Sequence, residues 1–340
     1  MIGYNFWEKL PVPFVLLAPM EDVTDTVFRE IVLSESETGC LHVVFTEFIS
    51  VDGLLDLRGR DHVVHRLFVN DSERKLIEQK RVKIVAQIWG SDPEKFYKAA
   101  RYVSDEYRFD GIDINMGCPV KKIVKNAACS ALINYPDLAG EIIQATKEGT
   151  SLPVSVKTRL GFNRIQTEEW IAHLLHCKPA AVTIHGRTQK MMSEGKVNWP
   201  EIAKAVQLKN KISPYTRIIG NGDVMSYKEA LSKCNEYFTD GIMIGRAVFK
   251  NLNLFNPNKS LPVNNTDKLC KHIELFSETW GSSKNFNMLK RYFKIYLNQF
   301  QGASLLRQQL YHTGSVSEAL NLIHKFQVTK AYRIVAENLQ

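Results

Sequence analysis

Eight short apolar segments rich in β-branched residues recur through the first 250 residues, and this repetition constrains the fold more than any other feature. Their starts lie roughly 24–42 residues apart, which leaves room for one helix and two loops between successive segments. Continuous apolar strands that alternate with helices are typical of a parallel sheet covered on both faces. The predicted strands are Phe14–Met20, Val43–Ile49, Lys83–Gly90, Gly111–Gly117, Pro153–Gly161, Ala180–Thr188, Arg217–Val224 and Gly241–Phe249.

Two α/β architectures fit eight strand–helix units, a closed TIM (β/α)8 barrel and an open doubly wound sheet. A doubly wound dinucleotide-binding sheet carries a glycine-rich turn after its first strand. Residues 18–23, by contrast, read Ala-Pro-Met-Glu-Asp-Val and contain no glycine. The sequence therefore favours a TIM barrel over residues 1–255. Helix-starting signals at Asp92-Pro93, Thr167 and Ser226 agree with the alternation.

The alternation of predicted strands and helices ends after residue 250. Residues 251–265 are polar, contain two prolines and are predicted to form a linker. Beyond them, apolar residues occur at helical spacing, which predicts a small all-helical C-terminal domain over residues 266–340. Its predicted helices are Asp267–Thr279, Asn287–Gln299, Ala303–Leu310 and Val316–Lys325.

The net charge of +8 is concentrated in this helical region. Residues 251–340 contain 11 Lys and Arg against 5 Asp and Glu, whereas residues 1–250 contain 33 against 31. A polyanionic partner and a simple basic surface both fit this distribution. The chain lacks a long uncharged apolar run and a secretory-type N-terminus, and its six cysteines have no metal-ligand spacing. These features predict a reduced, cytoplasmic protein without a membrane span or a metal site.

Polar side chains stand at the ends of the predicted strands, where a TIM barrel places its active site. Lys157 and Arg159 are two residues apart and share a strand face, as do His185 and Arg187. A lysine in an apolar strand is costly to bury unless it is paired or binds a ligand. The joint placement at one rim favours a functional site. The strand-end residues are Gln87, Asn115, Cys118, Lys157, Arg159, His185, Arg187, Asn221, Asp223, Gly245 and Arg246.

Glycines at the last two strand ends indicate a phosphate site. Residues 219–223 (Ile-Gly-Asn-Gly-Asp) and 244–246 (Ile-Gly-Arg) allow close backbone approach and offer N–H donors, and Arg246 adds a cation. Loops after strands seven and eight form the usual phosphate cup of a TIM barrel. The alternative is that these glycines serve only tight turns.

Cys118 lies in a polar loop at the same rim. Lys121, Lys122 and Lys125 follow it, and nearby cations lower the pKa of a thiol. The other five cysteines, Cys129 among them, are expected to be small buried apolar residues.

Six motifs at these strand ends resemble those of the tRNA-dihydrouridine synthase family. The combination of Asn-Met-Gly-Cys-Pro followed by His-Gly-Arg-Thr is highly specific, and the resemblance is strong from Phe14 to about Phe255 and weaker in the helical region. The motifs are Leu-Ala-Pro-Met at 17–20, Asn-Met-Gly-Cys-Pro-Val-Lys-Lys-Ile-Val at 115–124, Val-Lys-Thr-Arg-Leu-Gly at 156–161, His-Gly-Arg-Thr at 185–188, Asn-Gly-Asp at 221–223 and Met-Ile-Gly-Arg at 243–246.

The resemblance implies an FMN-containing barrel that reduces uridine in tRNA to 5,6-dihydrouridine with NADPH or NADH. It implies that reduced FMN gives a hydride to C6 of uracil and that Cys118 gives a proton to C5. A donor must carry its proton at neutral pH, which argues against a strongly lowered pKa, so the pKa of Cys118 stays open. The implied flavin-binding residues are Pro19, Met20, Glu21, Gln87, Lys157, His185, Asn221, Gly222, Asp223, Gly245 and Arg246.

A uracil that reaches a flavin in the barrel mouth must leave its RNA stack. Asn115 and Arg187 are the residues expected to read its edge. Basic residues of the helical region suit an RNA backbone, while at least one of the aromatic residues between them is expected in the core. These expected backbone contacts are Lys290, Arg291, Lys294 and Arg307.

Two positions depart from the family pattern and two other functions stay open. Cys129 stands where a glycine is usual, which bears on the loop geometry, and Ser193 stands where an aromatic residue is frequent. A flavin barrel acting on a free pyrimidine, such as a dihydroorotate dehydrogenase, would share the phosphate cup without needing a basic tail. A non-catalytic RNA-binding barrel would not need Cys118 or Lys157. We expect the protein to be monomeric.

Overall fold

A ring of parallel strands forms the centre of the molecule in the computed structural model, which describes residues 4–259, 265–298 and 300–337. The ladder runs β2-β1-β9-β8-β7-β6-β5-β4, and the pairing of β2 with β4 closes it into a barrel, so the predicted TIM barrel is confirmed. The strands are β1 (Phe14–Leu17), β2 (Val43–Phe45), β3 (Ile49–Ser50), β4 (Lys83–Trp89), β5 (Gly111–Met116), β6 (Val154–Arg159), β7 (Ala181–His185), β8 (Arg217–Asn221) and β9 (Gly241–Ile244).

The second predicted strand is wrong as a single element, because it is divided into β2 and β3. The hydroxyl of Thr46 accepts the hydrogen bond of the Gln87 N–H at 3.1 Å and itself donates to the Glu47 carbonyl at 2.7 Å. A side chain thus interrupts the backbone ladder between β2 and β3. The other predicted strands begin within one residue of the observed starts and extend too far at their ends. Those extra residues form the loops of the barrel mouth.

Helices surround the barrel and continue beyond it. The predicted starts at Asp92 and Ser226 are confirmed, since both side chains accept hydrogen bonds from the first turn of the following helix. The segment that begins at Thr167 is a π-helical turn, Thr167–Ile171, which leads into a short α-helix. The helices are α1 (Thr26–Glu35), α2 (Val51–Leu55), α3 (Arg60–Val63), α4 (Asp71–Lys80), α5 (Pro93–Glu106), α6 (Lys121–Val124), α7 (Pro136–Gly149), α8 (Ala172–His176), α9 (Trp199–Ile212), α10 (Tyr227–Tyr237), α11 (Thr266–Trp280), α12 (Phe293–Tyr296), α13 (Ala303–Tyr311) and α14 (Val316–Glu337).

Large apolar side chains close one end of the barrel. Phe14, Leu16 and Phe45 form a buried cluster with Trp7, which precedes β1 and is fully buried. Phe14 and Ala181 of this cluster are the first residues of β1 and β7. The polar residues therefore gather at the opposite, C-terminal end, where the functional site of this fold lies.

The predicted linker is wrong over its first part. Leu252, Leu254 and Phe255 are buried, and the Phe255 carbonyl accepts a hydrogen bond from the Glu37 N–H at 2.9 Å. Their apolar side chains pack on the core in spite of the polar residues between them. Residues 260–264 of the predicted linker lie outside the described residues.

The single helix predicted for Asn287–Gln299 is also wrong. A 3-10 helix, Phe286–Tyr292, precedes the short α12, and Gln299 lies outside the described residues. The three-residue period places Leu289 and Tyr292 on one buried face, where Tyr292 stacks on Phe28 of α1 at 5.2 Å between ring centroids. No helix of the described residues is long and apolar enough to cross a membrane.

Candidate active site

Strand register brings the predicted strand-end residues to adjacent levels of the barrel mouth. The predicted residues that lie within the strands are each aligned with a polar residue of a neighbouring strand. The aligned pairs are Gln87–Asp113, Asn115–Lys157, Arg159–His185 and His185–Asn221. The sequence could not supply this register, because it depends on how parallel strands are staggered around the ring.

A hydrogen-bonded chain leads from the barrel interior to the cysteine loop. The Gln87 amide donates to Asp113 at 2.7 Å and accepts from the Asn115 amide at 3.1 Å. The Asn115 oxygen then accepts the backbone N–H groups of Gly117 and Cys118, both at 3.0 Å. Asn115 thus orients the loop that carries the thiol. Its expected contact with a uracil edge stays a prediction.

Sequence analysis missed Asp113, although the signal was present. Asp113 precedes Asn115 by two residues and therefore shares its strand face. Burial raises the pKa of Asp113 to about 6, against the effect of hydrogen bonds from Ser155 and Gln87. A buried carboxyl group at this level fixes the orientation of the Gln87 amide.

The Cys118 thiol is partly buried, and its loop is fixed on two sides. Arg159 donates to the Gly117 carbonyl at 2.6 Å, and the Ser130 hydroxyl donates to the Cys118 carbonyl at 2.7 Å. The pKa of Cys118 is lowered to about 7, chiefly by a hydrogen bond from Cys129 and further by the Val120 N–H and the charge of Arg159, while burial opposes the shift.

The lysines that follow Cys118 contribute less than the sequence suggests. Lys121, Lys122 and Lys125 are exposed and are not among the main causes of the lowered thiol pKa. Solvent screens charges on such side chains. The largest cause of the lowered thiol pKa is instead Cys129, which is buried as expected.

The side chain of Lys157 is partly buried in the barrel mouth. Burial and the neighbouring Arg159 lower the pKa of Lys157 to about 8, while Asp113 and Cys118 oppose the shift. None of the described residues accepts a hydrogen bond from its Nζ atom. A lysine held in this way is suited to an acceptor on a bound ligand.

Arg187 connects the ends of β7 and β8. Its side chain is only 2% exposed and donates to the carboxylate of Asp223 and to the Gly195 carbonyl. Arg246 donates to the same carboxylate at 3.0 Å, so that Asp223 lies between two guanidinium groups. Arg187 therefore holds Asp223, and its expected contact with a uracil edge also stays a prediction.

His185 faces this cationic environment. Its Nε2 atom lies 3.2 Å from Nη1 of Arg187. Burial, together with the charges of Lys157 and Arg159, holds the pKa of His185 far below its usual value. The imidazole is therefore neutral at physiological pH and can act as a hydrogen-bonding group without adding charge.

A cavity of about 350 Å³ opens between the ends of β8 and β9. At Gly222 the backbone has φ +136°, and a Cβ atom there would lie 2.8 Å from Val197, so only glycine suits this turn. Four of the residues that line the cavity have backbone N–H groups from which none of the described residues accepts a hydrogen bond. These N–H groups belong to Gly222, Asp223, Gly245 and Arg246. Free N–H groups beside an arginine fit a phosphate.

The loop after β1 lies near the same mouth. Pro19 and Met20 are partly buried, and the Met20 N–H donates to the Thr24 hydroxyl at 2.9 Å. Glu21 pairs with Arg66 at 2.7 Å, and its charge acts against ionisation of Cys118. This loop is thus close enough to the thiol to contribute to one site.

The basic residues of the helical region are less free than the sequence suggests. Lys290 donates to the Tyr311 carbonyl at 2.9 Å and Arg291 to the Asp22 carbonyl at 2.6 Å, and Arg307 donates to the Leu297 carbonyl. Lys294 is exposed. The aromatic residues between these cations are all buried, namely Tyr292, Phe293 and Tyr296. The tRNA contacts expected of the four cations stay predictions.

The barrel also resembles solved structures in fold alone. Histamine dehydrogenase from Rhizobium sp. 4-9 is 11% identical, with a TM-score of 0.51 over 77% of this chain and 48% of that chain. Among the described residues, no group of three or more His, Cys, Asp or Glu side chains could hold a metal ion.

The protein belongs to the dihydrouridine synthase family, whose model, described as "Dihydrouridine synthase (Dus)", matches residues 16–331. It is 41% identical over 327 residues to a probable tRNA-dihydrouridine synthase of Staphylococcus aureus (strain COL), covering 95% of this chain and 96% of that protein. The same identity relates it to the probable tRNA-dihydrouridine synthase 2 of Bacillus subtilis (strain 168), over 95% of this chain and 97% of the relative. The resemblance found in the motifs is confirmed.

Proposed function

We propose that this protein reduces uridine in tRNA to 5,6-dihydrouridine with a bound flavin. The observation that carries the proposal is the convergence of the Cys118 thiol, the Lys157 ammonium and the phosphate-type cavity at one mouth of a dihydrouridine synthase barrel. Relatives that match the chain almost from end to end are named tRNA-dihydrouridine synthases, which supports this reaction over reduction of a free pyrimidine or RNA binding without catalysis.

The donor set of the mouth fits FMN. Its single phosphate would take the N–H groups of Gly222 and Gly245 with Arg246, and Asp223 would hold Arg246 in place because its carboxylate lies between Arg187 and Arg246. Lys157 and Gln87 would bind the polar edge of the flavin ring. The remaining expected contacts are Pro19, Met20, Glu21, His185 and Asn221. NADPH or NADH would serve as reductant.

Proton donation falls to Cys118. A bound, reduced flavin would supply the hydride for C6 of uracil. Cys118 donates its proton to C5, and the charge left on the sulfur is stabilised by the Val120 N–H and by Arg159. Asn115 holds the loop so that the thiol keeps its position.

The tRNA would enter with its target uridine turned out of the stack, so that the base reaches the mouth. Asn115 and Arg187 would border this base, and the cations of the helical region would contact the backbone. Lys294 is the best placed of these because its side chain is exposed and, unlike that of Arg291, does not donate to a carbonyl of the described residues. We further propose a monomeric, cytoplasmic enzyme.

The cofactor assignment is tested on the purified protein. We expect flavin absorption bands, release of FMN on denaturation as identified by chromatography, and bleaching by NADPH or NADH in the absence of air. A protein that purifies colourless and does not take up added FMN would contradict the assignment. Release of a flavin other than FMN would contradict the phosphate site while leaving a flavin enzyme.

A further inference from the structure

Two consecutive residues hold Cys118 from the same side. Cys129 begins a 3-10 helix, Cys129–Asn134, and its fully buried thiol lies beside the thiol of Cys118. Ser130 donates its backbone N–H and its hydroxyl to the Cys118 carbonyl, at 3.3 and 2.7 Å. One segment therefore contacts both the carbonyl and the thiol of the proposed acid.

The backbone at Cys129 makes a thiol there unexpected. Its φ of +54° lies in the left-handed region, as does the φ of Ala127. Residues other than glycine, asparagine and aspartate rarely adopt this strained conformation. A glycine would satisfy the backbone without this strain. The side chain at this position therefore needs a reason beyond the turn.

We propose that Cys129 is a positioning residue for proton transfer, because its S–H fixes the Cys118 sulfur and stabilises the charge left there when the proton departs. The proposal rests on the role of Cys118 in the proposed function. The C5–H bond of dihydrouridine forms as the S–H bond of Cys118 breaks, and the bonding electron pair remains on the sulfur. The hydrogen bond from Cys129 then has a charged acceptor and becomes stronger. Water later returns a proton to Cys118.

Other charged groups face the same sulfur and do not replace this contact. Arg159 and Lys157 are cations on β6, and Glu21 is an anion on the loop after β1. The Val120 N–H is a second donor. Among these, the Cys129 hydrogen bond is the largest cause that lowers the pKa of Cys118 to about 7. The same contact makes Cys118 a stronger acid and lowers its protonated fraction above neutral pH.

The test compares Cys129→Gly, Cys129→Ala and Cys129→Ser in the flavin-loaded protein. Cys129→Gly removes the S–H donor and also the backbone strain, because glycine adopts the left-handed conformation readily. This variant is therefore expected to fold, and its result reports on the donor. Cys129→Ser restores a donor. The rate of Cys118 alkylation by iodoacetamide is measured against pH without tRNA, and a Cys118→Ala sample corrects for the other thiols.

We expect the midpoint of alkylation to rise by about one pH unit in the Gly and Ala variants and to return most of the way in the Ser variant. Single-turnover tRNA reduction near pH 7 should fall about tenfold in Cys129→Gly, with flavin reduction by NADPH unchanged. An unchanged midpoint, or equal loss in the Ser and Gly variants, would overturn the proposal. If the midpoint shifts but the wild-type protein forms no dihydrouridine, the thiol contact stands and the proposed function fails.

Discussion

The barrel mouth and the helical region both contain cations that the sequence marked as functional, but the two regions use them differently. At the mouth, none of the residues that the structure describes accepts a hydrogen bond from Lys157 or from the backbone N–H groups of Gly222 and Gly245, and Arg246 borders the same cavity. In the helical region, Lys290, Arg291 and Arg307 each donate to a backbone carbonyl of the protein itself. Lys157 is therefore available to a ligand, and Arg246 borders the cavity while it pairs with Asp223, whereas most of the helical cations stabilise the fold.

The two regions also differ in how strongly their charges interact, because the mouth is more buried than the helix surfaces. Charges in a partly dehydrated mouth interact strongly, whereas exposed charges on a helix are screened within about 8–10 Å at ordinary salt. Substitutions at the mouth should therefore change chemistry and cofactor binding by large factors. Substitutions of exposed helical cations should produce small, salt-dependent effects on tRNA binding.

The largest effect is expected for Cys118→Ala. The variant should keep its flavin and its reduction by NADPH, yet lose about 10²–10⁴-fold in tRNA reduction, because the general acid is absent. Single-turnover formation of dihydrouridine measures this loss. Activity equal to that of the wild type would remove Cys118 as the proton donor.

A second prediction concerns the junction between the two regions. Lys284 lies 3.0 Å from Asp25 and 3.7 Å from Glu47, with its Nζ atom 3.9 Å from the centre of the Trp280 ring. Glu47 is 1% exposed, one of its oxygens has no hydrogen-bond partner, and burial raises its pKa to about 7. Lys284→Met should cost about 3–5 kcal/mol of unfolding free energy at about pH 8, because two buried carboxyl groups lose their cation.

The sign of the pH dependence follows from Glu47. Its pKa is higher in the folded than in the unfolded protein, so its contribution favours folding at low pH and declines as the pH rises from about 4.5 to about 7. Near pH 6 Glu47 can take up a proton and become neutral. Lys284→Met should therefore lower the free energy of unfolding by less at pH 6 than at about pH 8. Denaturant titrations at both pH values measure the difference. The double variant Glu47→Gln/Lys284→Met is the control, and equal losses at both pH values would contradict the account.

The phosphate site should show an intermediate effect. Arg246→Ala should weaken FMN binding by about 10–100-fold, the range expected for one charge-assisted hydrogen bond. Fluorescence titration of the flavin-free protein with FMN gives the affinity. Lys228→Ala is the control, because Lys228 is an exposed residue of α10 that does not line the cavity. An unchanged affinity in Arg246→Ala would place the phosphate elsewhere.

The smallest effect is expected in the helical region. Lys294→Glu should weaken tRNA binding severalfold and reduce the slope of log K against log salt by about one, because one phosphate contact is lost. Lys178→Glu makes the same charge change on an exposed residue before β7, at the end of the barrel opposite the mouth. Equal effects of the two variants would show that only net charge matters. The triple reversal of Lys290, Arg291 and Lys294 should enlarge the effect, at a cost to stability from two lost carbonyl contacts.

The sequence predicted the barrel and most of its mouth because strand ends carry a local signal. An apolar run that ends in Lys157 and Arg159 can be seen without knowledge of its neighbours. Thr46 could not be recognised as a strand break, since its hydroxyl acts through Gln87 on another strand. The contact of Cys129 with Cys118 and the Lys284 cluster depend likewise on residues brought together only by the fold.

The helical region was harder to predict for a related reason. Its aromatic residues have the spacing of an exposed recognition helix, but Tyr292 and Tyr296 are buried against the barrel and α11, respectively. A helical pattern shows that a face is apolar and does not show what covers it. The charge count of +6 therefore locates the cations but does not reveal that Lys290, Arg291 and Arg307 donate to backbone carbonyls.

The central claim is that the mouth of this barrel reduces uridine within tRNA. The most direct measurement incubates the flavin-loaded protein and NADPH with tRNA from a strain that lacks its own dihydrouridine synthases, and then quantifies dihydrouridine by mass spectrometry of the digested tRNA. We expect dihydrouridine to accumulate with the wild-type protein and to be nearly absent with Cys118→Ala. A flavin-loaded protein that oxidises NADPH with a free pyrimidine and leaves every tRNA uridine unreduced would contradict the account.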